Sequence, residues 1–223
     1  MPSTAKYAII VAGGSGQRMG SQIPKQFLEI KGRPILMHTI EAFYHCPGQI
    51  KLILVLPETH ITTWKELCDR YQFKVPVTLQ SGGPTRFQSV MNGLALIEGD
   101  GLVAIHDGVR PLVDRELIER SFQTAMKNGS GVAAIPVKNS IREITPNGSR
   151  SVDRHKFCMV QTPQAFKVGL IKLAYQNASH DSFTDDASVW ETAGYAVTLF
   201  EGSEKNLKIT TVQDLAVAEM LIT

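Results

Sequence analysis

Continuous apolar runs rich in β-branched residues recur along the chain and predict buried strands. These runs cover residues 7–12, 50–56, 75–79, 102–105, 131–137 and 195–200. A strand that is apolar along its whole length, rather than at alternate positions, is covered on both of its faces. The pattern therefore predicts an α/β protein in which a mainly parallel sheet lies between two layers of helices.

Segments with helical spacing of apolar residues separate these runs. Pro34 stands at a first-turn position, and Asp114 can cap a helix that Gly129 ends. Further helices are predicted over residues 87–97, 168–176 and 187–193, and from Thr211, with Asp214 at capping-box spacing, to the end of the chain.

Residues 138–160 break this rhythm, because polar and apolar residues alternate on both sides of a turn at Pro146, Asn147 and Gly148. The pattern predicts a β-hairpin arm that projects from one domain spanning residues 1–223. A lone hairpin is marginally stable, so we expect its apolar side to pack on a second subunit in a homodimer.

Composition and charge exclude several classes of protein. Lys and Arg number 23 against 21 Asp and Glu, so no overall field favours a nucleic acid or an anionic membrane, and neither partner is expected. The longest apolar runs are too short to span a bilayer. Three widely spaced cysteines form neither a disulfide framework nor a zinc motif, and we expect a soluble protein of the reducing cytoplasm.

A glycine-rich loop over residues 12–20 directly follows the first predicted strand. Backbone N–H groups of such a turn can close on phosphate oxygens, and Arg18 and Lys25 can neutralise them. Met19 stands where a dinucleotide fingerprint needs glycine, and the P-loop ending is absent, so a nicotinamide oxidoreductase is disfavoured. The loop is interpreted as a phosphate-binding site, with a tight turn as the alternative.

Two further loops carry candidate chemistry. Residues 81–89 place Arg86 and Ser89 in the first turn of a helix, which can bind a polar base edge or a phosphate, or simply form a cap. Residues 106–111 place Asp107 at a strand end, where one carboxylate and nucleotide phosphates can hold magnesium. The alternative is an ion pair between Asp107 and Arg110, and His106 is expected to be structural.

The order of these blocks resembles the 2-C-methyl-D-erythritol 4-phosphate cytidylyltransferase family. The resemblance rests on residues 12–19, 24–26, 106–111, 152–154, 161–164, 184–188 and 206–210, and it spans nearly the whole chain. It implies a Rossmann-like nucleotidyltransferase fold, a homodimer whose arm reaches the neighbouring active site, and a step of non-mevalonate isoprenoid precursor synthesis. The substrates implied are CTP, with Mg²⁺ as the divalent cation, and methylerythritol phosphate.

The resemblance also implies roles for individual residues. Arg18 and Lys25 would stabilise the transition state, while Lys208 and Arg154, the latter supplied across the dimer, would position methylerythritol phosphate. The implied nucleotide-binding residues are Ala12, Gly13, Gly14, Ser15, Gly16, Gly83, Arg86, Ser89 and Asp107, and Asp107 is also the implied metal ligand. The implied sugar-phosphate-binding residues are Asp107, Arg110, Ser140, Arg154, Thr162 and Thr184.

Two departures from the family pattern are visible. Ser140 stands on the arm where threonine is common, and Pro84 stands where some relatives carry an aspartate near the cytosine. A sister cytidylyltransferase for pentitol (ribitol) phosphates is the nearest alternative, although residues 152–154 and 184–188 fit the methylerythritol enzyme better. A non-catalytic nucleotide-binding module is disfavoured because it has no use for the cations of the attacking substrate.

Overall fold

The computed structural model describes residues 4–13 and 23–222. The strands are β1 Lys6–Val11, β2 Glu29–Ile30, β3 Arg33–Pro34, β4 Lys51–Leu56, β5 Thr78–Ser81, β6 Leu102–Asp107, β7 Ser130–Pro136, β8 Ile141–Thr145, β9 Gly148–Val152, β10 Cys158–Lys167 and β11 Leu199–Glu201. The helices are α1 Ile35–Tyr44, α2 Glu58–Arg70, α3 Arg86–Ala95, α4 Arg115–Asn128, α5 Val168–Gln176, α6 Asp186–Thr192 and α7 Val212–Leu221. Among the described residues, no helix has an apolar stretch long enough to cross a bilayer.

Seven strands form the main sheet in the order β11-β7-β10-β6-β1-β4-β5. All neighbouring pairs are parallel except those of β10, which runs antiparallel to both β6 and β7. The prediction of a mainly parallel sheet is confirmed. Val11 of β1 lies opposite both Val55 of β4 and Asp107 of β6, so these strands end at the same edge of the sheet.

Alternate residues of the central strands feed two separate cores. Ala8 and Ile10 of β1 pack with α1, α2 and α4 on one face, whereas Ile9 and Val11 pack with α3, α5 and α6 on the other. This arrangement explains the uninterrupted apolar run in the sequence, because each successive side chain enters one core or the other. The predicted three-layer α/β/α architecture is therefore correct.

Two predicted strands are displaced from their observed positions. Strand β5 begins at Thr78 rather than residue 75, and Pro76 in the missed stretch has no N–H to donate to a ladder. Strand β11 begins at Leu199 rather than residue 195. The Ala196 carbonyl before it accepts hydrogen bonds from the Trp190 and Ser130 side chains at 2.9 and 3.2 Å instead of joining the sheet.

The sequence analysis missed helix α2 and strand β10, and it placed the end of the arm too late. Strands β8 and β9 pair only with each other, as predicted for a hairpin, but residues 158–160 already belong to β10 of the main sheet. Ile144 at the arm is 82% exposed, so its apolar side chain has little cover within the chain.

Candidate active site

A cleft with two adjacent chambers opens at the carboxyl edge of β1 and β6. The first chamber, of about 240 Å³, is lined by Val11, Ala12, Gly13, Lys25, Gln26, Gly83, Pro84, Thr85, Arg86, Ser89, Asp107, Val109 and Lys208. The second, of about 360 Å³, is lined by Arg86, Asp107, Arg110, Val160, Gln161, Thr162, Gln164, Thr184, Asp185, Ser188 and Lys208. Arg86, Asp107 and Lys208 line both chambers, so they mark the junction between them.

Asp107, the last residue of β6, places a buried carboxylate at that junction. Its Oδ2 atom lies 3.0 Å from Lys208 Nζ and 3.4 Å from Arg110 Nε, and its Oδ1 atom lies 3.7 Å from Arg86 Nε. Burial alone would raise the pKa of Asp107, but the three cations outweigh it and hold that pKa well below its usual range. The carboxylate is therefore ionised at neutral pH.

Arg86 at the start of α3 is more fully paired than the sequence suggested. Its NH1 and NH2 atoms donate to the two carboxylate oxygens of Asp186 at 2.9 and 2.7 Å. Asp186 is fully buried and also accepts a hydrogen bond from the Tyr175 hydroxyl at 2.6 Å. Burial opposes the charge of Arg86, but Asp186 raises its pKa above the usual value. Arg86 was predicted to bind the nucleotide, but its two terminal guanidinium nitrogens are engaged by a buried carboxylate.

The loop before α3 is both a helix cap and a wall of the first chamber. The Thr85 hydroxyl accepts from Gln88 N–H at 3.2 Å, and the Gln88 side chain accepts from Thr85 N–H at 3.3 Å, which completes a capping box. The Gly83 N–H donates to Ser89 Oγ at 3.1 Å. A Cβ at Gly83 would lie 2.5 Å from the Gln88 Cβ, so only glycine fits this turn.

The first glycine-rich loop is described only at its start. Ala12 donates its N–H to the Val55 carbonyl at 3.0 Å, and its own carbonyl accepts from Gln26 Nε2 at 3.0 Å. Ala12, Gly13 and Lys25 line the first chamber, as the phosphate-binding interpretation requires. The predicted residues Gly14, Ser15, Gly16 and Arg18 lie outside the described residues.

The second chamber brings together four of the predicted sugar-phosphate residues, Asp107, Arg110, Thr162 and Thr184. Thr162 Oγ1 accepts the backbone N–H of Asp107 at 3.1 Å, so its own hydroxyl proton can be donated elsewhere. Arg110 donates from NH1 to the Asn206 carbonyl at 2.8 Å, and burial lowers its pKa. Thr184 is exposed at the chamber wall. The ion pair between Asp107 and Arg110, weighed as an alternative, is present alongside these contacts.

Arg154 and Ser140 lie on the arm and not in this cleft. Arg154 belongs to a 3₁₀ turn Arg154–Lys156 after β9, is exposed, and donates a hydrogen bond to the Lys138 carbonyl. Neither Arg154 nor Ser140 lines a chamber described here. A single chain therefore does not assemble the full predicted site.

His106 is structural, as the sequence analysis expected. It is fully buried, its Nε2 atom lies 3.3 Å from the Arg110 carbonyl, and its ring centroid lies 5.0 Å from that of Phe43. Burial lowers its pKa to about 3. The ring is neutral at physiological pH and supports the strand that carries Asp107.

The carboxylates of the cleft fit magnesium only as a companion of phosphates. No group of three His, Cys, Asp or Glu side chains suited to a metal occurs among the described residues. Asp107 Oδ2 is occupied by Lys208 and Arg110, whereas Oδ1 has the longer contact of 3.7 Å to Arg86. Magnesium commonly takes one protein carboxylate and completes its shell with phosphates and water, and Asp107 Oδ1 can fill that role.

Sequence reasoning missed several buried polar residues around the cleft. Gln161, Gln164, Asp186 and Asn206 are each at most 5% exposed, and all four make side-chain hydrogen bonds near the second chamber. Their only signal in the sequence was membership of the blocks that carry the family resemblance. Their burial, which separates them from ordinary surface polar residues, becomes visible only in the fold.

Comparison with known proteins identifies one consistent set of relatives. The profile of the 2-C-methyl-D-erythritol 4-phosphate cytidylyltransferase family matches residues 7–223. The enzymes of that name from Phocaeicola vulgatus and Azobacteroides pseudotrichonymphae are 49% and 51% identical, over 97% of this chain and 99% and 98% of theirs. A solved 4-diphosphocytidyl-2C-methyl-D-erythritol synthase from Anaerococcus prevotii has a TM-score of 0.83 at 28% identity, and a solved 2-C-methyl-D-erythritol 4-phosphate cytidylyltransferase from Thermus thermophilus has 0.80 at 31%. Each alignment covers 98% of both chains.

Proposed function

Because the chain belongs to the 2-C-methyl-D-erythritol 4-phosphate cytidylyltransferase family, we propose that it joins CTP to 2-C-methyl-D-erythritol 4-phosphate. The products are 4-diphosphocytidyl-2-C-methyl-D-erythritol and pyrophosphate, in the non-mevalonate route to isoprenoid precursors. The observation that carries this proposal is the two-chamber cleft, whose halves meet at Asp107, Arg86 and Lys208. Each chamber then holds one of the two substrates, and the α-phosphorus of CTP lies near the junction.

The reaction needs cations and alignment more than it needs a base. A phosphate monoester is largely dianionic near neutral pH, because its second pKa is about 6, so its oxygen can attack the α-phosphorus of CTP directly. Negative charge builds on the phosphoryl oxygens as pyrophosphate leaves, and fixed positive groups stabilise it. The neutral, buried His106 takes no part in this step.

We assign the first chamber to CTP. Backbone groups of Ala12 and Gly13, with the neighbouring Gly14, Ser15 and Gly16, would surround the phosphates, and Lys25 with Arg18 would stabilise the transition state. Gly83 and Ser89 would contact the nucleoside from the start of α3. Arg86 would act mainly by shaping the junction, since its terminal nitrogens are held by Asp186.

We assign the second chamber to methylerythritol phosphate. Lys208 would hold the attacking phosphate, while Asp107 and Thr162 would contact the polyol hydroxyls. Arg110 and Thr184 line the same chamber. For Lys208 to reach the phosphate it must exchange its 3.0 Å contact with Asp107 for one with the substrate, and the polyol hydroxyls can replace it at the carboxylate.

The active form in this proposal is a homodimer in which the arm, which ends before β10 and so covers residues 138–157, crosses to the neighbouring cleft. Arg154 and Ser140 are exposed on the arm, and Ile144, Phe157 and Met159 beside them are 82%, 50% and 47% exposed. Such apolar exposure is typical of a surface that a partner covers. Arg154 would then add a further positive charge to the second chamber, beside Arg110 and Lys208.

Magnesium belongs to the same proposal, carried mainly by the triphosphate and held to the protein through Asp107. When bound, the ion would neutralise charge on the triphosphate and favour departure of pyrophosphate. We also propose a cytoplasmic location, in keeping with three unpaired cysteines of which Cys158 is exposed.

The test is release of pyrophosphate from CTP that depends on methylerythritol phosphate and magnesium, with the product identified by ³¹P NMR as a diphosphodiester. Lys25→Ala should lower the rate on the order of 10²-fold or more, because it removes transition-state stabilisation. Pyrophosphate release without the sugar phosphate, or none with it, would contradict the proposal.

A further inference from the structure

Two glutamine side chains, Gln161 and Gln164, lie on either side of the Thr162-Pro163 bond in β10 and reach into different loops of the cleft. Both are almost fully buried, at 5% and 1% exposure. Neither can titrate, and neither was assigned any chemistry above. Each side chain nevertheless makes at least three hydrogen bonds. Apart from one bond from Gln164 Nε2 to the Gln161 carbonyl, all of them reach segments that carry or hold cleft residues.

Gln161 fixes the loop that carries Lys208. Its Oε1 atom accepts the Ser203 N–H at 3.1 Å, and its Nε2 atom donates to the Ser203 carbonyl at 2.8 Å, so the amide pairs with this backbone as a neighbouring strand would. Nε2 also lies 3.4 Å from the Asn206 carbonyl. A Cβ at Gly202 would lie 2.5 Å from Gln161 Oε1, so the loop closes tightly over the amide.

Gln164 fixes the turn that carries Asp186. Its Oε1 atom accepts the backbone N–H groups of Asp186 and Ala187 at 3.0 and 2.8 Å, at the amino end of α6. Its Nε2 atom donates to Asp185 Oδ2 at 3.0 Å. Asp186 in turn holds the two terminal nitrogens of Arg86, so the position of Arg86 depends on the position of this turn.

Lys208, on the first loop, and Arg86, held by Asp186 of the second, approach different oxygens of one carboxylate. Lys208 Nζ lies 3.0 Å from Asp107 Oδ2, and Arg86 Nε lies 3.7 Å from Asp107 Oδ1. We propose that Gln161 and Gln164 are positioning residues that set Lys208 and Arg86, respectively, against Asp107 at the junction of the chambers. Catalysis of this kind depends mainly on substrate alignment. A displaced Lys208 or Arg86 should therefore raise the KM for the substrate that it contacts. This inference rests on the proposed function for the roles of the chambers.

The test uses Gln161→Met and Gln164→Met, which keep side-chain length but remove the amide. Gln123→Met, at an exposed position of α4, is the matched control. We expect Gln161→Met to raise the KM for methylerythritol phosphate about tenfold and to change the KM for CTP less than twofold, as Lys208 serves the second chamber. Gln164→Met should raise both KM values, because Arg86 lines both chambers. The control should match the wild type.

A double-mutant cycle separates positioning from general damage to the fold. If Gln161 acts through Lys208, adding Gln161→Met to Lys208→Ala should lower kcat/KM no further than Lys208→Ala alone. A purely structural role would multiply the two losses, and that result would overturn the assignment of Gln161. Gln164→Met combined with Arg86→Met tests the second pair by the same criterion.

Hydrogen exchange tests the contacts without relying on any substrate. The Ser203 amide should lose protection in Gln161→Met only, and the Asp186 and Ala187 amides in Gln164→Met only. Unchanged protection would overturn the proposal even if kinetics were altered, whereas a wild-type enzyme inactive with both substrates would refute the proposed function alone. Should a methionine variant fail to fold, the glutamate variant, which keeps the acceptor oxygen and loses the donor, replaces it in the kinetic tests with the same expectations. The Ser203, Asp186 and Ala187 amides donate to the oxygen that glutamate keeps, so in that variant they should stay protected.

Discussion

At the scale of single residues, the cleft depends on one carboxylate that serves three cations. Asp107 is buried and paired with Arg86, Arg110 and Lys208. Arg86 is also held by Asp186 and Arg110 by the Asn206 carbonyl, whereas Lys208 is the cation we assign to the substrate phosphate. The sequence analysis weighed an ion pair between Asp107 and Arg110 as an alternative to magnesium binding, and the structure contains that pair. The sequence did not predict Asp186 as the partner of Arg86, because 100 positions separate the two residues and only the fold brings them together.

Asp107→Asn should destabilise the folded protein by about 2–4 kcal/mol, because three cations lose a buried counter-charge. The folded-state pKa of Asp107 is depressed, so its contribution is present above the unfolded pKa of about 3.9 and is lost as pH falls through the folded value. Urea unfolding should therefore show a constant difference between the variant and the wild type from pH 5 to 8, shrinking only below about pH 4. A difference that vanished at pH 6 would contradict the pairing.

His106 should lower the free energy of unfolding as pH falls below about 6.5, a higher pH range than that of Asp107. Its folded pKa is about 3, against about 6.5 in the unfolded chain, so below pH 6.5 the unfolded state binds a proton that the folded state does not. The free energy of unfolding then falls by about 1.4 kcal/mol per pH unit from this residue alone. Comparison with His106→Leu between pH 6.5 and 4.5 should isolate that slope, and parallel profiles for both proteins would refute it.

At the scale of elements, the hydrophobic pattern predicted the sheet and the loops that follow its strands. Glycine loops after β1 and β5 and the aspartate at the end of β6 were expected at one edge, because parallel strands end together. Strand β10 was missed, since residues 158–160 continue the alternation of the arm while the rest of the strand contains Pro163 and two glutamines. Those polar residues are buried in the cleft, where function rather than core packing determines the choice of residue.

Removing the cap of α3 should weaken both stability and nucleotide binding. Thr85→Ala loses a capping box and should cost about 1 kcal/mol in urea unfolding. Since Thr85 lines the first chamber, we expect the KM for CTP to rise severalfold. Thr211→Ala removes the equivalent capping box of α7, which lines neither chamber, and should cost similar stability without changing that KM. Equal KM values for CTP in the two variants would contradict the assignment of the α3 cap to the nucleotide site.

At the scale of the whole molecule, near-neutral charge coexists with a cleft rich in cations. Arg86, Arg110 and Lys208 converge there although the chain carries a net charge of only +2, so the anion site is local, as the composition required. The composition and the hydrophobic pattern of one chain do not determine which surface, if any, the arm contacts. The role in assembly that we propose for the arm rests on the family resemblance and on the exposed apolar residues of the arm.

Mixing two inactive variants tests the shared site. Arg154→Ala and Lys25→Ala disable different parts of the proposed site, so a heterodimer would keep one intact cleft. After exchange, half of the dimers are mixed and each has one working site, so activity should recover to roughly a quarter of the wild-type value. Absence of recovery, with subunit exchange demonstrated by mass, would contradict an active site built from two chains.

The central claim is that the second chamber selects methylerythritol phosphate as the acceptor of a cytidylyl group. The most direct test compares kcat/KM for pyrophosphate release from CTP with methylerythritol phosphate and with ribitol 5-phosphate under identical magnesium conditions. We expect methylerythritol phosphate to be preferred by on the order of 100-fold, a difference of about 3 kcal/mol in transition-state binding. Equal values, or a preference for ribitol 5-phosphate, would contradict the claim.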